Sequence, residues 1–131
     1  MNREMAKAWL ASAASDLETM EAIVANENLT HVVAFHAQQA VEKSLKALLE
    51  LYGKPVPKTH SILRLGALTE EFFPLEGRMA DLLDKLYIDA RYPGDLGLLP
   101  EGKPSIEQAQ KFFDYARTVY AQVRVEVNRR Q

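Results

Sequence analysis

Cysteine is absent from this 131-residue chain. Its absence excludes disulfide frameworks, thiolate metal sites and cysteine nucleophiles, and fits a reducing compartment. No window approaches the roughly 18 consecutive apolar residues that a membrane span needs, so no membrane partner is expected. Neither sign of charge is in large excess: 16 Lys and Arg stand against 18 Asp and Glu, a net −2. Nothing global therefore advertises nucleic acid, and any such contact needs a local patch. Lys43, Lys46, Lys54, Lys58 and Arg64 could form one, with Arg124, Arg129 and Arg130 as a terminal group that also suits the negative end of a last helix. Phosphate loops of the Gly-x-x-x-x-Gly-Lys-Ser/Thr or Gly-x-Gly-x-x-Gly kind are missing, as is a Gly-x-Ser-x-Gly elbow. His31, His36 and His60 form no i, i+4 pair, so neither a metal site nor a cofactor is expected.

What is present is hydrophobic content of 47%, enough for residues 1–131 to bury a core as a single domain. The first residues, Met-Asn-Arg-Glu-Met-Ala-Lys, lead into a charged amphipathic pattern and not an apolar h-region, so an unprocessed cytoplasmic protein is expected. Met5, Trp9, Ala13, Asp16, Met20 and Ile23 recur at helical spacing over about Arg3 to Asn26. A second helix, capped by Asn28 or Thr30, should reach Tyr52 and stop at Gly53. Thr59 or Ser61 can cap a third to about Phe73, ended by Pro74, and a fourth should run from near Glu76 to Arg91. Residues 92–104 hold three prolines and three glycines and read as a loop, after which Ser105 with Glu107 and Gln108 opens the last helix. There Ile106, Ala109, Phe113, Ala116, Tyr120, Val123 and Val127 draw one apolar seam, for helix one or in part for a second subunit. The expected fold is all-α, an up-and-down bundle of four to five helices.

Chemistry concentrates in residues 35–50. His36, Gln39, Lys43 and Lys46 share a polar stripe on helix two, opposite Val33, Ala37, Ala40, Val41, Ser44, Leu48 and Leu49. An imidazole, an amide and an ammonium side by side suit phosphates and base edges, though a structural histidine and solvated lysines fit the same pattern. Glu42 and Lys46 form an i, i+4 pair that would be an ordinary surface ion pair. Asp16 lies on the apolar face of helix one and needs a cation or donor, such as Lys43 or Arg91. His60, behind Lys58 and Thr59, stands where the free N–H groups of a helix start could hold an anion, or where it could cap the connector. Asp89, Arg91 and Tyr92 cluster where Pro93 forces a helix to end. Arg91 can fork onto a phosphate and Tyr92 can stack, or the pair can pin the loop.

In order and spacing, Asp16-Leu17, the run from Phe35 to Lys43, Pro57-Lys58-Thr59-His60 and Tyr87 to Pro93 resemble the HEPN domain family, the higher eukaryotes and prokaryotes nucleotide-binding domain. The resemblance covers nearly the whole chain. It implies a bundle of four or five helices, usually dimeric, often encoded beside a minimal nucleotidyltransferase as a two-component, toxin–antitoxin-like pair. Many such proteins are metal-independent ribonucleases carrying Arg-x(4–6)-His. No such pair can be drawn here: all three histidines precede Arg64, and Arg3 is far from His31. The branch resembled is the one without that motif.

We therefore expect binding of a nucleotide or other polyphosphate, partnership with a nucleotidyltransferase, or both, with no catalytic residue. His36, Gln39, Lys43, Lys58, His60, Arg91 and Tyr92 would face the ligand, and Asp16, Glu42, Lys46 and Asp89 would be structural polar groups. The expected partners are a nucleotide or other anion, a second copy of the chain and a nucleotidyltransferase. One alternative is a ribonuclease toxin acting on RNA through an unusual pair, His36 or His60 with Arg91; another is a non-catalytic dimerisation scaffold.

Overall fold

The computed structural model describes residues 1–90 and 102–129, and of these the side chains of all but 88–90. Among them are five helices and no strand: α1 (Arg3–Ile23), α2 (Thr30–Leu51), α3 (Ile62–Thr69), α4 (Gly77–Ala90) and α5 (Ile106–Arg129). Asp89, Arg91, Tyr92 and most of the 92–104 loop were expected to matter; the Asp89 side chain, Arg91, Tyr92 and residues 93–101 lie outside the described part.

Helix boundaries follow local hydrogen bonding. The Asn2 side chain accepts from the Met5 N–H at 3.0 Å and caps α1. Neither Asn28 nor Thr30 caps α2: Leu29 stands at the N-cap position, with no side-chain cap. At its other end Gly53 adopts φ +68°, while the N–H groups of Lys54 and Gly53 return to the carbonyls of Leu49 and Glu50 at 2.9 and 3.2 Å. That is a Schellman closure, and it needs a residue that tolerates a left-handed backbone. The third helix is shorter than expected: the N–H groups of Phe72 and Phe73 both turn back to the Thr69 carbonyl, four residues before Phe73, because Pro74 keeps Phe73 from continuing. Ahead of α4, the Glu76 carboxylate accepts from the N–H groups of Arg78 and Met79 at 3.0 and 2.9 Å. Ser105 and Gln108 form a reciprocal capping box before α5.

Helix α2 is the central element and packs against each of the other four. Val33, Ala37, Val41, Leu45, Leu48 and Leu51 are all sealed from solvent, and each large aliphatic side chain so buried contributes about 1.5–3 kcal/mol. On α1 the buried stripe is offset by one residue at its start: Ala6 and Leu10 go inward, while Met5 is 42% exposed and Trp9 only partly covered. On α5, Ile106 overhangs and is 42% exposed, while Phe112 and Val119 join Ala109, Phe113, Ala116, Val123 and Val127 in the core. This wider stripe exists because α5 packs on α2 as well as on helix one. No helix among the described residues is long and apolar enough to cross a membrane.

Candidate functional site

A polar network runs through the middle of α2, and its deepest member is Gln38, whose side chain is wholly buried. Its amide donates to the His60 carbonyl and, at 3.3 Å, to Asp84, while its oxygen accepts from Gln39 at 2.8 Å. Gln39 in turn donates to Glu42 at 3.3 Å. The Glu42 carboxylate also receives His60 Nδ1 at 3.2 Å and Lys46 Nζ at 3.0 Å. Glu42 and Lys46 are not the surface pair their spacing suggested: their side chains are 5% and 8% exposed. Burial is tolerable because each has a further partner, His60 for the carboxylate and the Trp9 ring, 5.3 Å from the ammonium, for the lysine. Trp9 is itself fixed by its indole N–H on Glu50 at 3.3 Å.

A second cluster joins α1 to α2. Asp16, almost buried, accepts from His36 Nδ1 on one oxygen and from Lys43 Nζ on the other, each at 2.8 Å. Of the two cations offered by the sequence, Lys43 is the one seen on Asp16. A carboxylate oxygen at Nδ1 can only accept, so this nitrogen carries the proton of the contact. The residues of the expected polar stripe are thus divided between two clusters, His36 and Lys43 over Asp16, Gln39 and Lys46 on Glu42.

Asp84 decides the geometry of the connector. Its oxygens accept from the backbone N–H groups of Ile62 and Leu63 at 3.0 and 3.1 Å and from the Ser61 hydroxyl at 3.0 Å. Ser61 caps Arg64 N–H at 3.1 Å. The N–H groups at the start of α3 are therefore not free for an outside anion, as the sequence had suggested; a carboxylate of the same chain already occupies that positive end. His60 is not the cap either, and stands outward with its side chain 55% exposed.

Beside this corner lies a cleft of about 460 Å³ lined by Lys58, Thr59, His60, Ser61, Leu63, Asp81, Asp84, Lys85 and Tyr87. The rings behind it form a continuous series. His60 meets Tyr87 at 5.5 Å, Tyr87 stacks on Phe35 at 5.5 Å, and Phe35 meets His36 edge-on at 5.3 Å. Lys58 and Lys85 supply cations at the rim, Lys85 paired to Asp81 at 2.9 Å. Of the residues expected to face a ligand, the cleft brings Lys58 and His60 together; His36, Gln39 and Lys43 are not among its lining.

Sequence reasoning passed over Gln38 and Asp84, and took Trp9 only as part of the stripe of helix one. The first two carried a signal of the Asp16 kind: Gln38 falls between Ala34 and Val41 on the buried stripe, and Asp84 lies beside Leu83 four residues after Ala80. A polar group on an apolar face has to find a partner. Another is His31, whose Nδ1 is buried and has no hydrogen-bond partner among the described residues. Burial and the Lys103 charge hold its pKa below the ordinary histidine value.

Set against known proteins, the family model described as HEPN domain matches residues 6–126. The chain belongs to the HEPN domain family. Among solved structures, this HEPN protein is similar to TT1696 from Thermus thermophilus, with 30% identity, a TM-score of 0.70, and coverage of 95% of this chain and 98% of that one. No curated protein matches it.

Proposed function

We propose that this HEPN chain binds a nucleotide or related polyphosphate in the cleft between the Lys58–Ser61 connector and α4. One observation carries the proposal: a single cleft combines an outward imidazole, backed by the Tyr87 ring, with the ammonium groups of Lys58 and Lys85. A ring face suits a nucleobase and paired cations suit phosphate oxygens. Asp84 and Gln38 hold the connector so that His60 is presented without having to be ordered on binding, which lowers the entropic cost. His36, Gln39 and Lys43, seated on Asp16 and Glu42, act as support for that wall.

Calorimetric titration of ATP, GTP and UTP tests the proposal. His60→Ala should weaken binding about tenfold, within the ~1–3 kcal/mol attributed to a base stacked on a ring, and Lys58→Ala by a similar factor through loss of a charge-assisted contact to phosphate. His60→Phe should retain most of the affinity if the ring face is what matters. Arg91→Ala asks whether the residue expected from sequence to grip phosphate belongs to the same site. Absence of binding at millimolar concentration for all three nucleotides would overturn the proposal. The nucleotidyltransferase partnership implied by the resemblance would then be pursued by co-purification with the product of an adjacent gene.

A further inference from the structure

The polar groups of the cleft divide into those already engaged within the chain and those left to meet a ligand. Asp84 is buried, and its two oxygens accept from Gln38, Ser61 and the N–H groups of Ile62 and Leu63. Ser61 donates its hydroxyl to Asp84 and accepts from the Arg64 N–H. Thr59 accepts from the Ser61 N–H at 3.1 Å, and His60 Nδ1 is taken up by Glu42. Asp81 is different. Its side chain is 48% exposed, and among the described residues its partner is Lys85, 2.9 Å from one oxygen. A carboxylate offers about four acceptor sites, so most of its capacity is open to the cleft.

Asp81 lines the same cleft as the His60 and Tyr87 rings that would receive a base. Tyr87 lies six residues further along α4, about 9 Å at 1.5 Å per residue. Side chains on a helix lean back toward its N-terminus, which shortens the gap between that ring and the carboxylate. A purine stacked on the rings can therefore present an edge to Asp81. A carboxylate can only accept. Of the common bases, guanine alone carries two adjacent N–H donors on one edge, N1–H and the 2-amino group. Adenine and cytosine set a ring-nitrogen acceptor beside the amino group, and uracil has a single N–H between two carbonyls; in each, lone pairs would face the carboxylate.

We propose that Asp81 makes the cleft selective for guanine nucleotides by accepting both N–H groups of the base edge, an inference that rests on a nucleotide occupying the cleft. Lys85 beside it offsets the negative charge, so the carboxylate does not repel a polyanionic ligand as a whole. Lys58, exposed and outside the ion pairs of the described residues, is left for the phosphates. Asp84 cannot take the part of Asp81, because its oxygens already hold the connector.

Calorimetric titration of GTP, ITP and ATP into the intact chain and into Asp81→Asn tests the assignment. GTP should bind the wild type about tenfold more tightly than ATP, a discrimination of the size that a bidentate base contact supplies. ITP, which keeps N1–H and lacks the 2-amino group, should fall between them. An amide offers one donor and one acceptor side and can pair with adenine and guanine edges alike, so in Asp81→Asn the two affinities should come within about twofold. Releasing Lys85 from its pair shifts all three nucleotides together and leaves their ratio to report on Asp81. Circular dichroism verifies the fold, and should Asp81→Asn not fold, Asp81→Ala takes its place with the same loss of preference. Equal wild-type affinities for GTP and ATP, ITP binding as tightly as GTP, or a preference that survives the substitution would each overturn the role of Asp81 while nucleotide binding itself stands. Absence of binding for every nucleotide would overturn both.

Discussion

Asp16 is a carboxylate on the buried stripe of α1 that survives there because two donors from α2, His36 and Lys43, each take one oxygen at 2.8 Å. Removing one member of a buried pair typically costs about 3 kcal/mol, since it leaves the other charge desolvated and uncompensated. Lys43→Ala should approach that loss in urea unfolding, less what the remaining His36 contact with Asp16 retains. Asp16→Ala with Lys43→Ala should be destabilised by clearly less than the sum of the single changes, and additive losses would refute a direct coupling. At this scale much was legible: Asp16 declared its need for a partner because a charge on an apolar stripe is conspicuous, and Lys43 was one of the cations it could be matched with. Glu42 and Lys46 misled, because i, i+4 spacing describes a helix surface and says nothing of whether Trp9 and the connector will cover it.

Helix α3 has eight residues, too short to persist without tertiary support. Its start is held by Ser61 on its own chain segment and by Asp84 from α4 across the corner. Asp84→Ala should cost about 1–2 kcal/mol, the range for loss of an N-cap. The loss should concentrate locally: amide hydrogen exchange at Ile62–Thr69 should accelerate well beyond that of α2 and α5. Uniform acceleration across all helices would mean that Asp84 supports the whole bundle and not this element. Ser61 could be read as a cap from its neighbours. Asp84 could not, since its target lies 21 to 23 residues away in sequence, and only packing of α4 against α3 closes that distance.

For the molecule as a whole, Gln38 is the point where α2, the connector and α4 are tied together. Gln38→Leu keeps much of the volume but leaves the His60 carbonyl and part of Asp84 without a donor, and burial of unsatisfied acceptors costs about 1–3 kcal/mol each. Thermal unfolding should register that loss. If the cleft binds nucleotide as proposed, affinity should fall with it, because the His60 backbone would lose its anchor on Gln38. A stability loss with unchanged affinity would separate the network from the cleft.

Helix number, order and most of the core were set by the sequence alone, because helical periodicity, caps and prolines act over a few residues and each can be read where it stands. Only the tertiary structure decided which polar residues meet. His36 and Lys43 went to Asp16, Gln39 and Lys46 to Glu42, and Lys58 and His60 to a cleft closed by α4. The reason is geometric. A side chain's partner across a bundle depends on the rotation and offset of whole helices, which the summed packing of the core sets and no single spacing records.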